Sequence, residues 1–199
     1  MRVRSIVWGV TLGAGAAVVG RAALRTTEGP AVDGELFALV NAERGPLADG
    51  LLGGITELGS LYAAAAAAAA LAITGRRRTA ASALAAETAT WLLGQGAKKL
   101  VVRPRPHDAN PVGTRMAIAR PKGSSWPSSH PAVLTAFTHV AARELGLGAA
   151  SRAGLAALDL SVASSRVYLG VHYPSDVASG LLMGRAVARL WPGSHPLDG

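Results

Sequence analysis

Apolar residues come along this chain in six blocks. The first runs from Ile6 to Leu24, behind Arg2 and Arg4. The second runs from Leu51 to Ile73 and holds eight consecutive alanines, Ala63 to Ala70. The others are Thr79 to Gly96, Pro131 to Leu147, Ala149 to Leu169 and Val177 to Trp191. Each is about 15 to 23 residues long, near the roughly 20 that cross a hydrocarbon core as a helix. No stretch alternates β-branched and polar residues as a strand does, so the pattern predicts an all-α chain of six helices.

Composition decides between a soluble bundle and a membrane one. Of 199 residues, 50% are hydrophobic and 16% charged, against about 25% charged in ordinary soluble domains. Lysine occurs three times, whereas soluble amphipathic helices repeat charge along one face. The blocks favour Ala, a weak inserter, and contain Glu57, Glu87, His139 and Asp159. A charge at mid-bilayer costs on the order of 2.5–3.5 kcal/mol. Even so, a soluble bundle would leave its outer surface largely apolar, and the expectation is a multi-spanning membrane protein. Arg21 and Arg25 bracket the possible cleavage positions after the first block, which argues for a retained helix over a signal peptide. Without cysteine there is no disulfide, thiolate metal site or Cys nucleophile. No repeat or linker divides the chain, so residues 1–199 read as a single domain.

The formal charge is +8. Between Ala97 and Pro127 stand seven basic residues and one acid, a net +6 in one segment. A charge excess so concentrated is not a nucleic-acid footprint, and no nucleic-acid partner is expected. With the N-terminus inside, Arg76, Arg77, Arg78, Arg143 and Arg152 are cytoplasmic, as the positive-inside rule prefers. The acidic loop with Glu28, Asp33, Glu35, Glu43 and Asp49 then lies outside, but so does the +6 segment. Topology rules alone come near a tie, and that segment needs a reason of its own.

Three stretches carry chemistry. In the first, Lys98 and Arg105 stand seven apart, with Pro104 and Pro106 flanking Arg105. An Arg on a stiff, non-helical strut suits bidentate contact with a phosphate or carboxylate, while the bland reading is a basic patch touching lipid headgroups. In the second, Ser128 or Ser129 can cap the helix of the fourth block, whose first turn holds His130 and Pro131. Free backbone amides and hydroxyls there favour an anion. In the third, Ser165-Arg166 precedes a turn with His172, which breaks at Pro174. Ser175 can cap the sixth helix, which places Asp176 in its first turn, facing back to one nitrogen of His172. In an alternating bundle, the ends of blocks three and five and the starts of four and six share one face, which brings these stretches together.

Lys98-(six residues)-Arg105-Pro106, Pro127-Ser128-Ser129-His130 and Ser165-Arg166-(five residues)-His172-(three residues)-Asp176 together resemble the type 2 phosphatidic acid phosphatase (PAP2) superfamily. All three family motifs stand in order across a core of residues 98–176, with every charged position filled. The one departure is Ser129, where the family most often has Gly. The resemblance implies a six-helix transmembrane bundle with its active site at one membrane face. It implies phosphoryl binding by Lys98, Arg105, Arg166, Ser128 and Ser129, and a His172 nucleophile oriented by Asp176. It further implies that His130 is the acid for the leaving oxygen and then the base for water. No metal and no cofactor are implied.

The expected protein is a bacterial multi-pass membrane enzyme whose site faces outside the cytoplasm. Its substrate is a phosphorylated lipid, a monoester or diphosphate of a polyprenol or glycerophospholipid, with membrane lipids around it. A soluble acid phosphatase or haloperoxidase of the superfamily, and a non-catalytic lipid-phosphate binder or transporter, are the alternatives. Arg103, Arg115, Arg120 and Lys122 match no catalytic position: they either hold a diphosphate or headgroup or meet anionic lipid. The motifs bind only phosphoryl, so they do not rank substrates or set the oligomeric state.

Overall fold

The computed structural model describes residues 2–25 and 29–193. Glu28 of the expected acidic loop, and the side chains of Arg2, Arg4 and Arg25, lie outside the described residues. The described residues are helical, with no strand: α1 (Arg2–Arg25), α2 (Gly29–Val40), α3 (Pro46–Glu57), α4 (Leu61–Ile73), α5 (Arg77–Leu100), α6 (Pro106–Ala109), α7 (Ser129–Glu144), α8 (Ala149–Tyr168) and α9 (Pro174–Leu190).

Five apolar blocks form one helix each, and the second does not. It breaks between Glu57 and Leu61 into α3 and α4, which bend by 59°. Ser60 caps α4 by accepting the Ala63 amide at 3.2 Å. The break sits against the bundle: a Cβ at Gly59 would come within 3.0 Å of the His130 backbone and 2.8 Å of Val162. The acidic loop is also corrected, because most of it is helical. Helix α2 turns Asp33 and Phe37 inward and leaves Val32, Leu36 and Leu39 exposed. Among the described residues no single helix is long and apolar enough to cross a membrane, though the bent α3–α4 pair passes that test together.

Helix α7 is the central strut. Almost every residue from Pro131 to Ala142 is buried, between α5 on one side and α8 and α9 on the others. Close approach is possible because the facing residues are small. Ala80, Ala83 and Ala86 of α5 pack with Phe137, Val140 and Ala141. On α9, Gly180 and Gly184 stand four apart, and a Cβ there would fall on the carbonyl oxygens of Ser128 and Ala132. This small-xxx-small spacing lets two backbones approach within van der Waals contact. Helix α1 does likewise against α9, where Ser179 donates to the Ala16 carbonyl at 3.3 Å.

The end of α8 sets the next turn. Gly170 has φ +82°, its amide donates to Val167 O at 3.0 Å, and the Val171 amide donates to Arg166 O at 3.2 Å. This is a Schellman closure, which needs a left-handed residue just past the helix. A side chain at Gly170 would also strike the Arg115 carbonyl. The turn therefore delivers Val171 and His172 in one direction only.

Gly184→Ala should lower stability by about 1–3 kcal/mol through overpacking. Gly154→Ala, in α8 with open space around it, should be neutral or stabilising by up to about 1 kcal/mol. Thermal unfolding of the detergent-purified variants distinguishes the two, and equal behaviour contradicts the packing described.

Candidate active site

The three stretches meet at one end of the bundle. Lys98 occupies the last turn of α5, Arg105 the extended segment after it, and Arg166 the last turn of α8. Ser128, Ser129 and His130 open α7, His172 lies between α8 and α9, and Asp176 is in the first turn of α9. The Ser128 amide donates to the Asp176 carbonyl at 3.0 Å, which ties the starts of α7 and α9 together.

His172 is 2% exposed. Its Nε2 lies 3.3 Å from Arg105 Nη1, and its Nδ1 lies 3.6 Å from Asp176 Oδ2. Guanidinium only donates, so Nε2 is the acceptor and the proton sits on Nδ1, facing the carboxylate. Burial pushes this imidazole far below the usual histidine range, to about 3, against the opposing pull of Asp176. The ring is therefore neutral at ordinary pH, with its Nε2 lone pair on the side of the cations.

Those cations are held by backbone oxygens more than by acids. Lys98 Nζ donates to Ser124 O at 2.9 Å. Arg105 donates through Nε to Gly123 O at 3.0 Å and through Nη1 to Val171 O at 2.9 Å. Its charge is disfavoured by burial, which lowers its pKa despite Asp176 and Asp108. Arg166 donates to Thr56 Oγ1 at 2.9 Å, a contact that draws α3 into the site. Several donors have no partner among the described residues: Arg166 Nε, Ser128 Oγ and Ser129 Oγ are all buried. Ser128 stands at the N-cap position of α7, but its hydroxyl makes no cap bond.

Asp176 is fully buried and doubly anchored. Its Oδ2 accepts the Tyr173 amide at 2.9 Å, and Oδ1 accepts from Arg103 Nη1 at 2.6 Å. The first contact corrects the expected cap: α9 starts at Pro174 with Tyr173 as N-cap, so the Asp176 carboxylate, not Ser175, closes its end. The second corrects the reading of Arg103. Its guanidinium is 6% exposed and bridges Asp176 to Asp33 of α2, whose Oδ2 accepts from Nη2 at 2.6 Å. Ser175 completes the knot, donating from its amide to Asp33 Oδ1 at 2.9 Å and from its hydroxyl to Oδ2 at 2.5 Å. Burial opposes the Arg103 charge, but Asp176 and Asp33 outweigh it and hold the guanidinium above its ordinary pKa.

Arg115 is likewise engaged, donating to both oxygens of Asp49 at 3.0 and 2.9 Å. The Tyr168 hydroxyl donates to the same carboxylate at 2.6 Å. Asn41 clamps the backbone beside it, accepting the Arg115 amide and donating to the Tyr168 carbonyl. Arg120 and Lys122 are exposed. Sequence reading missed Asp33, Asn41 and Thr56, which come from segments remote from the motifs and carry no local signal of their own. Among the described residues no group of three or more His, Cys, Asp or Glu side chains is placed to hold a metal ion.

Comparison with known proteins shows the family. The model of the PAP2 superfamily matches residues 79–197. Decaprenylphosphoryl-5-phosphoribose phosphatase of Mycobacterium tuberculosis, in two strains, is 38% identical over 94 residues, 47% of this chain and 48% of the relative. The match thus spans about half the length of those curated relatives. Among solved structures, the transmembrane PAP2-type phosphatidylglycerolphosphate phosphatase of Bacillus subtilis superposes with a TM-score of 0.72 at 21% identity, over 90% of this chain and 92% of that one. LpxE of Aquifex aeolicus superposes with a TM-score of 0.70 at 27% identity, over 77% and 90% of the two chains. A family match over more than half of the chain, on the helices that bring the three motifs together, places this protein in the PAP2 superfamily.

Proposed function

We propose that this protein is an integral membrane phosphatase that removes a phosphoryl group from a phosphorylated lipid by way of a phosphohistidine on His172. The observation that carries the reading is the orientation of that imidazole: Nε2 against Arg105, and Nδ1–H toward a carboxylate that is itself anchored. A neutral, oriented imidazole beside fixed cations is a nucleophile aimed at a bound anion.

Lys98, Arg105 and Arg166 hold the phosphoryl oxygens, with the hydroxyls of Ser128 and Ser129 and the α7 N-terminus. The unpartnered buried donors Ser128 Oγ, Ser129 Oγ and Arg166 Nε suit that role. These groups stabilise charge on the equatorial oxygens of an in-line transition state, the main source of catalysis in phosphoryl transfer. His172 Nε2 forms the P–N bond as the P–O bond to the lipid breaks, and His130 gives its proton to the leaving oxygen. His130 then takes a proton from water, whose oxygen attacks phosphorus, breaks the P–N bond and releases phosphate. Asp176 stabilises the charge on His172 throughout, and no metal or cofactor takes part.

The membrane placement rests on the outward faces of the helices. Val10, Val18, Leu92, Leu93 and Leu160 are more than half exposed on different helices, a wide apolar surface that water does not favour. Leaving out the short α2 and α6 and counting the broken α3–α4 pair as one, six helical units remain, which give six crossings of a bacterial membrane by one domain. The site then lies at one face, outside the cytoplasm. The likeness to decaprenylphosphoryl-5-phosphoribose phosphatase makes a polyprenyl-phosphosugar phosphate the first substrate to assay, ahead of phosphatidylglycerophosphate, phosphatidic acid and polyprenyl diphosphate.

His172→Ala should abolish phosphate release from this lipid panel while thermal unfolding stays cooperative, and robust turnover in that variant would sink the assignment. His130→Ala should lower kcat by about 10²–10⁴-fold, the usual contribution of a general acid and base. Activity should survive EDTA; its loss contradicts the metal-free reaction. Arg103→Gln leaves Asp33 and Asp176 buried without their cation, and should cost about 3–5 kcal/mol of stability. Kinetically it should lower kcat with little change in KM, whereas a headgroup-binding Arg103 would raise KM.

A further inference from the structure

A second cluster of cations gathers at the other end of the same helices. A cavity of about 460 Å³ opens between the start of α1 and the remote ends of α7, α8 and α9. Arg143, Arg152, Arg185, Arg189 and His139 line it. Arg143 is thirteen residues beyond His130 along α7, which puts the cavity about 20 Å from the candidate active site.

Four guanidiniums around one opening repel one another, and the two nearby acids, Asp159 and Glu144, offset them only in part. None of the four forms an ion pair with a carboxylate among the described residues. Asp159 is turned to Thr138 and His139, and Glu144 Oε1 accepts the Ser82 hydroxyl at 2.6 Å. Arg143 spends Nη1 on the Ala188 carbonyl at 2.7 Å, while its Nη2 is buried without a partner among the described residues. Arg185 Nε donates to His139 Nε2 at 3.2 Å, which fixes one more guanidinium at the rim. Trp8, Leu12 and Leu155 form an apolar wall beside these charges.

We infer that this cavity is a second anion site, built for a phosphate group and separate from the reaction. Arginine forks match phosphate oxygens bidentately, and basic pockets between helix ends hold phospholipid headgroups. The apolar wall suits the first carbons of an acyl chain, so the phosphate is either that of an anionic lipid or free in solution. The inference needs no phosphatase activity and uses none of the residues assigned to it.

The test uses the full chain purified in mild detergent and the double variant Arg185→Gln/Arg189→Gln. Native mass spectrometry counts bound phosphatidylglycerol and, with the same acyl chains, phosphatidylcholine. Titration calorimetry with inorganic phosphate runs in parallel. If the occupant is a lipid headgroup, the native protein retains phosphatidylglycerol over phosphatidylcholine, and the variant binds it at least about tenfold more weakly. If the occupant is free phosphate, the native protein shows one more class of phosphate site than the variant, whether or not the candidate active site binds phosphate. Unchanged binding of both probes overturns the inference. Phosphatase activity, measured separately, should be the same in both proteins, so a failed phosphatase assignment leaves this result readable. Arg152→Gln, on an exposed turn of α8, is the second variant should the double one unfold.

Discussion

A single guanidinium holds two buried carboxylates at the heart of this protein. Arg103 reaches Asp33 on α2 and Asp176 on α9, each at 2.6 Å and each buried. Charges so buried are costly one by one and tolerable only as a set, because each desolvation penalty is offset by close attraction and by further hydrogen bonds. The set is well satisfied: Ser175 and the Tyr173 amide take up the remaining carboxylate lone pairs. The consequence is positional. Asp176 cannot swing away from His172 without stranding Arg103, and α2 cannot leave the bundle without stranding Asp33.

The same logic explains the dense positive segment between Ala97 and Pro127. Lys98 and Arg105 lean on backbone carbonyls of Gly123 and Ser124, which hold them in place without cancelling their charge. Arg103 and Arg115 are the reverse, paired with the carboxylates of Asp33, Asp176 and Asp49. The segment thus sorts its cations into ones held by backbone carbonyls, Lys98 and Arg105, and ones paired with carboxylates, Arg103 and Arg115. Proline and the Schellman closure at Gly170 keep that sorting rigid.

Small residues make the convergence possible. Alanine on α5 and glycine on α9 let α7 approach both neighbours closely, so that its first turn lies against the Asp176 carbonyl. Alanine also weakens the membrane signal of each described helix on its own, since its methyl gains little from leaving water. The composition that weakens each helix as an isolated span strengthens the packing between them.

The helical class, five of the six blocks as continuous helices, and the meeting of Lys98, Arg105, Ser128, His130, Arg166, His172 and Asp176 at one end are all legible in the amino-acid sequence. Those are consequences of periodicity, of block order and of short motifs, all of which are local. Tertiary structure alone decided the break at Gly59, because what ends that helix is the approach of Val162 and His130. It alone decided that Asp33, in a polar stretch read as a loop, is buried beside Ser175, and that Thr56 meets Arg166. The role of Arg103 was open for the same reason. A cation in a basic run binds a ligand or a carboxylate according to which acid lies within reach, and that acid stands 70 residues away in the chain.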